Sequence, residues 1–215
     1  QPWSERPARL EDLGVRANPF AAFDVSRDVQ EQIDLAFTQA RARGNEGLVL
    51  KQTDATYDAG RRGSAWRKVK RAFATLDVVV TKAERGHGKR AGVLSDYTFA
   101  VWRGAELQEI GKAYSGLTDA EIDRLTTRFE ELTQSIQRGV HVVRPEVVLE
   151  IAFDGIQQSN RHASGYALRF PRIVRIRDDK RADGADTIET VQKLFEAQMA
   201  SGHREASPQL GLFEK

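Results

Sequence analysis

The sequence predicts an α+β chain: a small helix-and-two-strand piece, then a mainly β barrel with one inserted helix and a C-terminal helix. Two patterns predict it. Alternating and β-branched runs recur between 75 and 177, separated by glycines and short polar turns, as strands of an antiparallel sheet do. Helical spacing of apolar residues in the long segments is confined to stretches around 29–40, 122–136 and 188–195.

Taken in order, Pro2, Pro7 and Pro19 punctuate a short helical piece at Arg6–Leu13, and the chain is expected to enter in mid-domain. Ser26–Arg43 reads as an amphipathic helix: Val29, Ile33, Phe37 and Ala40 share one face, and Gly44 is placed to cap its end. The strands Gly47–Lys51 and Ala65–Val69 follow, joined by a loop. After Arg71 the character changes. The β-branched run TLDVVVTKA gives the strand Leu76–Ala83, and the glycine-rich loop Gly86–Gly92 leads to alternating strands Asp96–Trp102 and Leu107–Ala113 around a turn at Gly104. Thr118-Asp119-Ala120-Glu121 is a capping box, opening a helix with Ile122, Leu125, Phe129, Leu132 and Ile136 on one stripe. Strands Val147–Ile156 and Tyr166–Arg177 precede a last helix, Asp186–Ala200, with Asp186 and Glu189 as a cap pair and Ile188, Val191, Leu194 and Phe195 inward. Ser201–Lys215 shows no periodicity and is expected to be a flexible tail. Three strands, a helix and two more strands over about a hundred residues fit an OB-fold better than a parallel α/β sheet. Such barrels commonly bind nucleic acid on their open face.

A chain of 215 residues can form one large domain or two small ones. With 40% hydrophobic and 30% charged residues it reads as globular. No apolar run approaches a membrane span and nothing resembles a signal peptide, so a cytoplasmic protein without a membrane partner is expected. The absence of cysteine excludes disulfides, thiolate metal sites and a cysteine nucleophile. Four scattered histidines show no metal-ligand spacing. The net charge of +2 hides segregation: six Lys or Arg and no acid lie between Arg61 and Arg71, and six more against two aspartates between Arg169 and Arg181. The acids concentrate in 105–131. Segregated positive stripes suit a nucleic-acid partner.

The first stripe lies in Glu46–Lys70. Period-2 geometry sends Trp66, Lys68 and Lys70 to one face and Arg67 and Val69 to the other, with Lys51 on the neighbouring strand. Such a face can receive a polyanionic phosphate, although composition alone favours a solvated strand face. Trp66 is expected in a core. In the second stripe Arg175 and Arg177 share a strand face, with Arg172 near its start, as DNA-phosphate contacts would. The loop Gly86–Gly92 lacks the Lys-Ser/Thr ending of a P-loop and leads from strand to strand, so it reads as a flexible basic hairpin tip touching DNA backbone through Lys89 and Arg90.

EGLVLK (46–51), the loop Tyr57-x-x-Gly60-Arg61-Arg62, WRKVK (66–70) and RFPRIVRIRDDK (169–180) occur in this order, with GHGKRAG, KAYSGLTDAEI and SGYALRFPRI between. On these blocks, over about residues 40–190, the chain resembles the C-terminal part of an ATP-dependent DNA ligase of the bacterial and archaeal single-chain type. The resemblance implies that 1–71 finish the adenylation (nucleotidyltransferase) domain, that 72–190 form the OB-fold domain, and that 191–215 are a helix end and tail. It implies nick sealing in duplex DNA through lysyl-AMP and DNA-adenylate, in repair, replication or recombination, with ATP and Mg2+ or Mn2+. Glu46 falls on the motif IV glutamate and is implied to assist at the nucleotide phosphate through a divalent metal. Lys51 closes that motif as a nucleotide contact. Lys68 and Lys70 match the motif V lysines that neutralise the α-phosphate, a role that agrees with the shared face. Arg177, Asp179 and Lys180 match motif VI, which swings onto the ATP pyrophosphate. Arg61, Arg62, Lys89, Arg90, Arg172 and Arg175 are the expected contacts to nicked double-stranded DNA.

The family's nucleophilic lysine, in Lys-x-Asp-Gly, has no counterpart here. Arg181-Ala182-Asp183-Gly184 comes nearest, but an arginine stays protonated and cannot attack a phosphate, and it lies beyond motif VI. Ala22-Phe23-Asp24-Val25 echoes motif III but lies too close to Glu46 and lacks the following glycine. The expectation is therefore a truncated ligase or one half of a split enzyme, which needs a separate N-terminal half and does not self-adenylate alone. A non-catalytic OB-fold DNA-binding module, and a fragment of an RNA ligase or capping-type nucleotidyltransferase, remain as alternatives. Gln209-Leu210-Gly211-Leu212-Phe213 resembles the pentapeptide by which bacterial repair proteins bind the sliding clamp, with Gln209 setting register and Leu210, Leu212 and Phe213 apolar.

Overall fold

The computed structural model describes residues 2–14, 22–43, 45–56, 60 and 63–200. Gly44, Tyr57, Arg61, Arg62 and the segment 209–213 lie outside the described residues. The chain divides into two compact units, with the boundary between Arg71 and Ala72.

The first unit contains helices α1 (Arg6–Asp12) and α2 (Val29–Ala42) and strands β1 (Leu48–Lys51) and β2 (Trp66–Val69). Helix α2 starts at Val29, the first residue of its apolar pattern and three residues after the expected boundary at Ser26, because Asp28 takes the N-cap, accepting from the N–H groups of Gln30 and Glu31 at 2.8 and 3.2 Å. Phe37 and Ala40 are its buried residues. Strands β1 and β2 pair antiparallel, Lys51 opposite Trp66 and Val49 opposite Lys68. A Cβ at Gly47 would collide with the Val69 carbonyl oxygen, so only glycine admits this close entry into β1. Arg71 forms an ion pair with Asp34 of α2 and lies over the Phe37 ring, tying the end of the ribbon to the helix.

The second unit is a curled antiparallel half-barrel. Its elements are β3 (Ala74–Arg85), β4 (Leu94–Arg103), β5 (Glu106–Ala113), α3 (Asp119–Leu132), β6 (Thr133–Gln137), β7 (Val140–Val143), β8 (Val148–Phe153), β9 (Gly155–Gln158), β10 (Tyr166–Arg169), β11 (Arg172–Ile176) and α4 (Ile188–Ala200). The main sheet runs β11-β8-β3-β4-β5; β7 also pairs with β3 and carries β6, and β9 pairs with β10 separately. Register shifts after Val80 and after Glu84 bend β3, and that bending curls the sheet. Inside the curl, Leu76, Val78, Val80, Phe99, Ile151 and Phe153 are buried, and α3 closes them over with Ile122, Leu125, Phe129 and Leu132. Phe129 stacks obliquely on Tyr97 at 5.2 Å.

The capping box at Thr118 forms as expected, with the Glu121 carboxylate accepting from the Thr118 N–H at 2.8 Å. Four expectations are corrected. Ile136 does not extend the helical stripe: α3 ends at Leu132, and Ile136 lies 61% exposed in the hairpin β6–β7, whose turn Arg138-Gly139 holds both residues at positive φ. The strand expected over Val147–Ile156 breaks at Asp154 into β8 and β9. The strand expected over Tyr166–Arg177 breaks at Phe170-Pro171 into β10 and β11. Asp186 does not cap α4; its carboxylate accepts from the Asp77 N–H at 2.8 Å, and Thr187 supplies the hydrogen bond that lowers the pKa of Glu189. The far end of α4 is fixed by buried Gln198, whose amide accepts from Ile156 N–H at 2.7 Å and donates to Ile156 C=O at 2.8 Å.

Strand β11 is held on its outer side by Ser115, whose carbonyl accepts from Ile173 N–H at 2.8 Å. The next residue, Gly116, has φ +116°, and a Cβ there would collide with Ile173 backbone. Gly116→Ala is expected to destabilise the second unit by roughly 2–4 kcal/mol, measured by thermal melting; an unchanged midpoint would contradict the close approach.

Candidate functional site

Candidate residues occur in each unit. In the first, cross-strand pairing puts Lys51 and Lys68 on one face of the β1–β2 ribbon, as alternation predicts. Lys70 Nζ donates to Glu46 Oε1 at 2.9 Å, so the expected catalytic carboxylate and one expected phosphate-binding ammonium neutralise each other. Lys68 is exposed. Trp66 is a correction: it is 42% exposed and packs edge-on against Trp3, ring centroids 6.1 Å apart, rather than entering a core. The reason lies in a residue the sequence reading missed. Residues 2–4 run beside the loop after β1, with Trp3 N–H donating to Ala55 C=O at 3.1 Å and Ser4 N–H to Thr53 C=O at 3.0 Å. This places the Trp3 ring centroid 3.3 Å from Lys51 Nζ, with Trp66 on another side at 4.6 Å. Burial among these groups pushes the Lys51 pKa below the ordinary lysine value, and the nearby Arg6 charge adds to it.

In the second unit, the acidic partners of the arginine stripe come from β3, from β8 and the residue after it, and from the stripe's own segment. Asp77 and Glu150 are cross-strand partners, and Glu150 is also opposite Arg175. Arg175 Nε donates to Glu150 at 2.6 Å, and Arg172 Nη1 to Asp154 at 3.2 Å. Arg177, just past β11, donates from Nη1 to both Asp77 oxygens at 2.8 and 2.7 Å, and from Nε and Nη2 to Asp179 at 2.9 and 2.8 Å. Lys180 Nζ donates to Asp77 at 2.6 Å. The Arg177 hydrogen bonds hold the Asp179 pKa at about 2, and the same carboxylates raise that of Arg177. The expected motif VI residues are thus brought together around an acid outside their own segment.

The loop between β3 and β4 makes a short 3-10 turn at Gly88–Arg90. Lys89 is exposed, whereas Arg90 reaches Asp119 at 3.2 Å and the Tyr114 carbonyl at 3.4 Å. Between β10 and β11, Phe170 is 59% exposed at φ +50°, with the Arg169 guanidinium 5.5 Å from its ring. An exposed aromatic held in the left-handed region marks a constrained surface position, which the alternation of RFPRIVRI conceals.

Two family models match the chain over different parts: residues 1–70 match the ATP dependent DNA ligase domain and residues 90–180 the ATP dependent DNA ligase C terminal region. The chain belongs to the ATP-dependent DNA ligase family. A probable DNA ligase of Koribacter versatilis is 53% identical over 171 residues, 80% of this chain and 30% of that protein. A DNA ligase of Haloarcula marismortui is 42% identical over 194 residues, 90% of this chain and 35% of that protein. The chain thus spans about a third of the length of these relatives. The fold agrees with a solved structure described as a Lig E DNA ligase, at TM-score 0.54 and 19% identity, covering 82% of this chain and 59% of that one. The half-barrel is therefore the OB-type fold that the strand pattern predicts, and DNA-ligase membership sets aside the RNA-ligase and capping-type alternatives. Among the described residues, no helix is long and apolar enough to cross a membrane, and no group of three or more His, Cys, Asp or Glu could hold a metal ion.

The Asp179 carboxyl gives a pH test with a defined sign. Its folded pKa lies below the ordinary value of about 3.9, so its stabilisation is complete above about pH 5 and is lost as pH falls towards 2. Asp179→Asn is expected to flatten the decline in melting temperature between about pH 4 and pH 2. An identical decline in both forms would contradict the pairing with Arg177.

Proposed function

We propose that this chain supplies the phosphate-handling residues of an ATP-dependent DNA ligase that seals nicks in duplex DNA. The observation that supports it most directly is the one-faced β1–β2 ribbon bearing Lys51 and Lys68, in a chain of this family, with Glu46 and Lys70 paired at its start. In nick sealing, a lysine amine first takes AMP from ATP and releases pyrophosphate. AMP then passes to the 5′-phosphate at the nick, and the 3′-hydroxyl displaces it. Each step moves negative charge among phosphoryl oxygens, so fixed cations lower its barrier without acting as nucleophiles.

Lys68 and Lys70 carry that role at the α-phosphate. Glu46 holds Lys70 before substrate arrives and would supply a hard oxygen ligand to a divalent cation. One carboxylate completed by phosphate and water oxygens is a set that Mg2+ accepts. Bound there, the cation would neutralise phosphate charge, and Lys70 would be freed from its ion pair to face the same phosphate. Lys51, oriented by Trp3 and Trp66, contacts the nucleotide, while Arg177 and Lys180 serve the pyrophosphate end of ATP, with Asp179 beside them. Arg61, Arg62, Lys89, Arg90, Arg172 and Arg175 neutralise DNA phosphates, and exposed Phe170 offers an apolar face to a sugar or base.

Lys-x-Asp-Gly does not occur in this sequence, so the amine that receives AMP comes from elsewhere in the complete enzyme. The Gln209–Phe213 stretch binds the sliding clamp. Repair, replication and recombination in the cytoplasm are the processes to which such an activity belongs.

In a ligase that includes this chain and a Lys-x-Asp-Gly segment, Lys68→Ala or Lys70→Ala is expected to slow sealing of a nicked duplex by about 10²-fold or more. Gel separation of sealed and unsealed strands reads the effect. Sealing at the unaltered rate in both variants would remove these lysines from the reaction.

A further inference from the structure

The acid that holds the RIRDDK segment lies on β3, 100 residues before Arg177 and 103 before Lys180. The Asp77 side chain is 13% exposed and accepts from Arg177 and Lys180 together. Its backbone is engaged as well: Asp77 N–H donates to the Asp186 carboxylate, and Asp186 N–H donates to Asp77 C=O, each at 2.8 Å. The 177–186 segment thus returns repeatedly to one residue of a central strand. Asp179 differs in kind. Its side chain is 64% exposed, and it belongs to the same segment as the arginine it meets.

We propose that Asp77 is the positioning residue of a polyphosphate site formed by Arg177 and Lys180, with Asp179 as a placeholder that incoming phosphate displaces. This rests on the reading of Arg177 and Lys180 as nucleotide-phosphate ligands. Arg177 presents two edges. Nη1 faces Asp77, while Nε and Nη2 face Asp179 as a fork matched to two oxygens of one anion. Displacing Asp179 opens that fork to a phosphate, and Asp77 keeps the guanidinium plane in place. The same carboxylate fixes the Lys180 ammonium, which otherwise ends a flexible four-carbon stem. A cavity of about 280 Å³ adjoins these groups, lined also by Arg124 and Arg128 of α3. The acids at its wall are already engaged, Asp178 with Arg124 at 2.9 Å and Glu146 with Arg128 at 2.7 Å.

The proposal makes a prediction opposite to that of net charge. Removing the Asp77 charge alone would draw an anion in more strongly; loss of a positioning residue weakens binding. Inorganic tripolyphosphate titrated calorimetrically into the full chain separates the two, using wild type, Asp77→Asn, Asp179→Asn and Arg177→Ala. Asp77→Asn is expected to bind about tenfold more weakly, the equivalent of one charge-assisted hydrogen bond, and Asp179→Asn more tightly. Trp102 Nε1 donates to Ala182 C=O at 2.7 Å, within the same segment, so its indole N–H resonance should shift in Asp77→Asn before ligand is added. Asparagine retains the backbone bonds to Asp186; if that variant fails to fold by melting, Asp77→Ser takes its place. Tripolyphosphate binding as tight as wild type, or tighter, in the Asp77 variant overturns the positioning role and leaves the phosphate reading standing. No binding by wild type, or no effect of Arg177→Ala, overturns both.

Discussion

The half-barrel depends on the backbone requirements of β3. This 12-residue strand carries N–H and C=O groups along both edges, and none can be buried without a partner. No single neighbour follows its bends. On one edge, β8 satisfies Ala74 to Val79 and β7 satisfies Lys82 to Glu84; on the other, β4 pairs from Val79 to Arg85. Before Val79 that edge would be open. Asp186 fills it, bonding Asp77 on one side while its carbonyl accepts from Trp102 N–H at 3.0 Å on the other. The segment carrying Arg177 and Lys180 is thereby stitched to the strand that organises the core.

The candidate groups of the two units differ in how they are held. Arg177 and Lys180 meet a carboxylate rooted in a core strand, and their geometry inherits the rigidity of the sheet. Lys68 belongs to a two-stranded ribbon, with Glu46 and Lys70 at its end, and the stability of such a ribbon needs packing from outside it. That packing comes from α2, through Phe37 and the Arg71–Asp34 ion pair, and from the Trp3 segment on the side of Lys51. Exposed ion pairs such as Glu46–Lys70 contribute little to stability in water. They are well suited to exchange partners when a phosphate or a cation arrives.

Much of this was legible in sequence because the signals are local. The capping box at Thr118, the β-branched run in β3 and the alternation of Trp66 and Lys68 each follow from residues a few positions apart. The ordered blocks from EGLVLK to RIRDDK identified the family for the same reason. What escaped depends on distant pairing. Trp66 looked like a core aromatic because nothing nearby announces that Trp3 and Lys51 will meet it. Ile136 fits the helical stripe by spacing, yet the Arg138-Gly139 turn draws it into a hairpin against β3. Asp77 stood in TLDVVVTKA as a lone acid among apolar residues, a usable signal; its partners lie a hundred residues away.

The central claim is that this chain carries the phosphate-handling residues of a ligase while another segment carries the nucleophile. Mixing the chain with a polypeptide bearing the Lys-x-Asp-Gly half of a related ligase, and scoring closure of a singly nicked duplex with ATP and Mg2+, tests it most directly. Sealed product in the mixture, and in neither component alone, is the expected result. Sealing by this chain alone, or none in the mixture when both components are folded, would contradict the account.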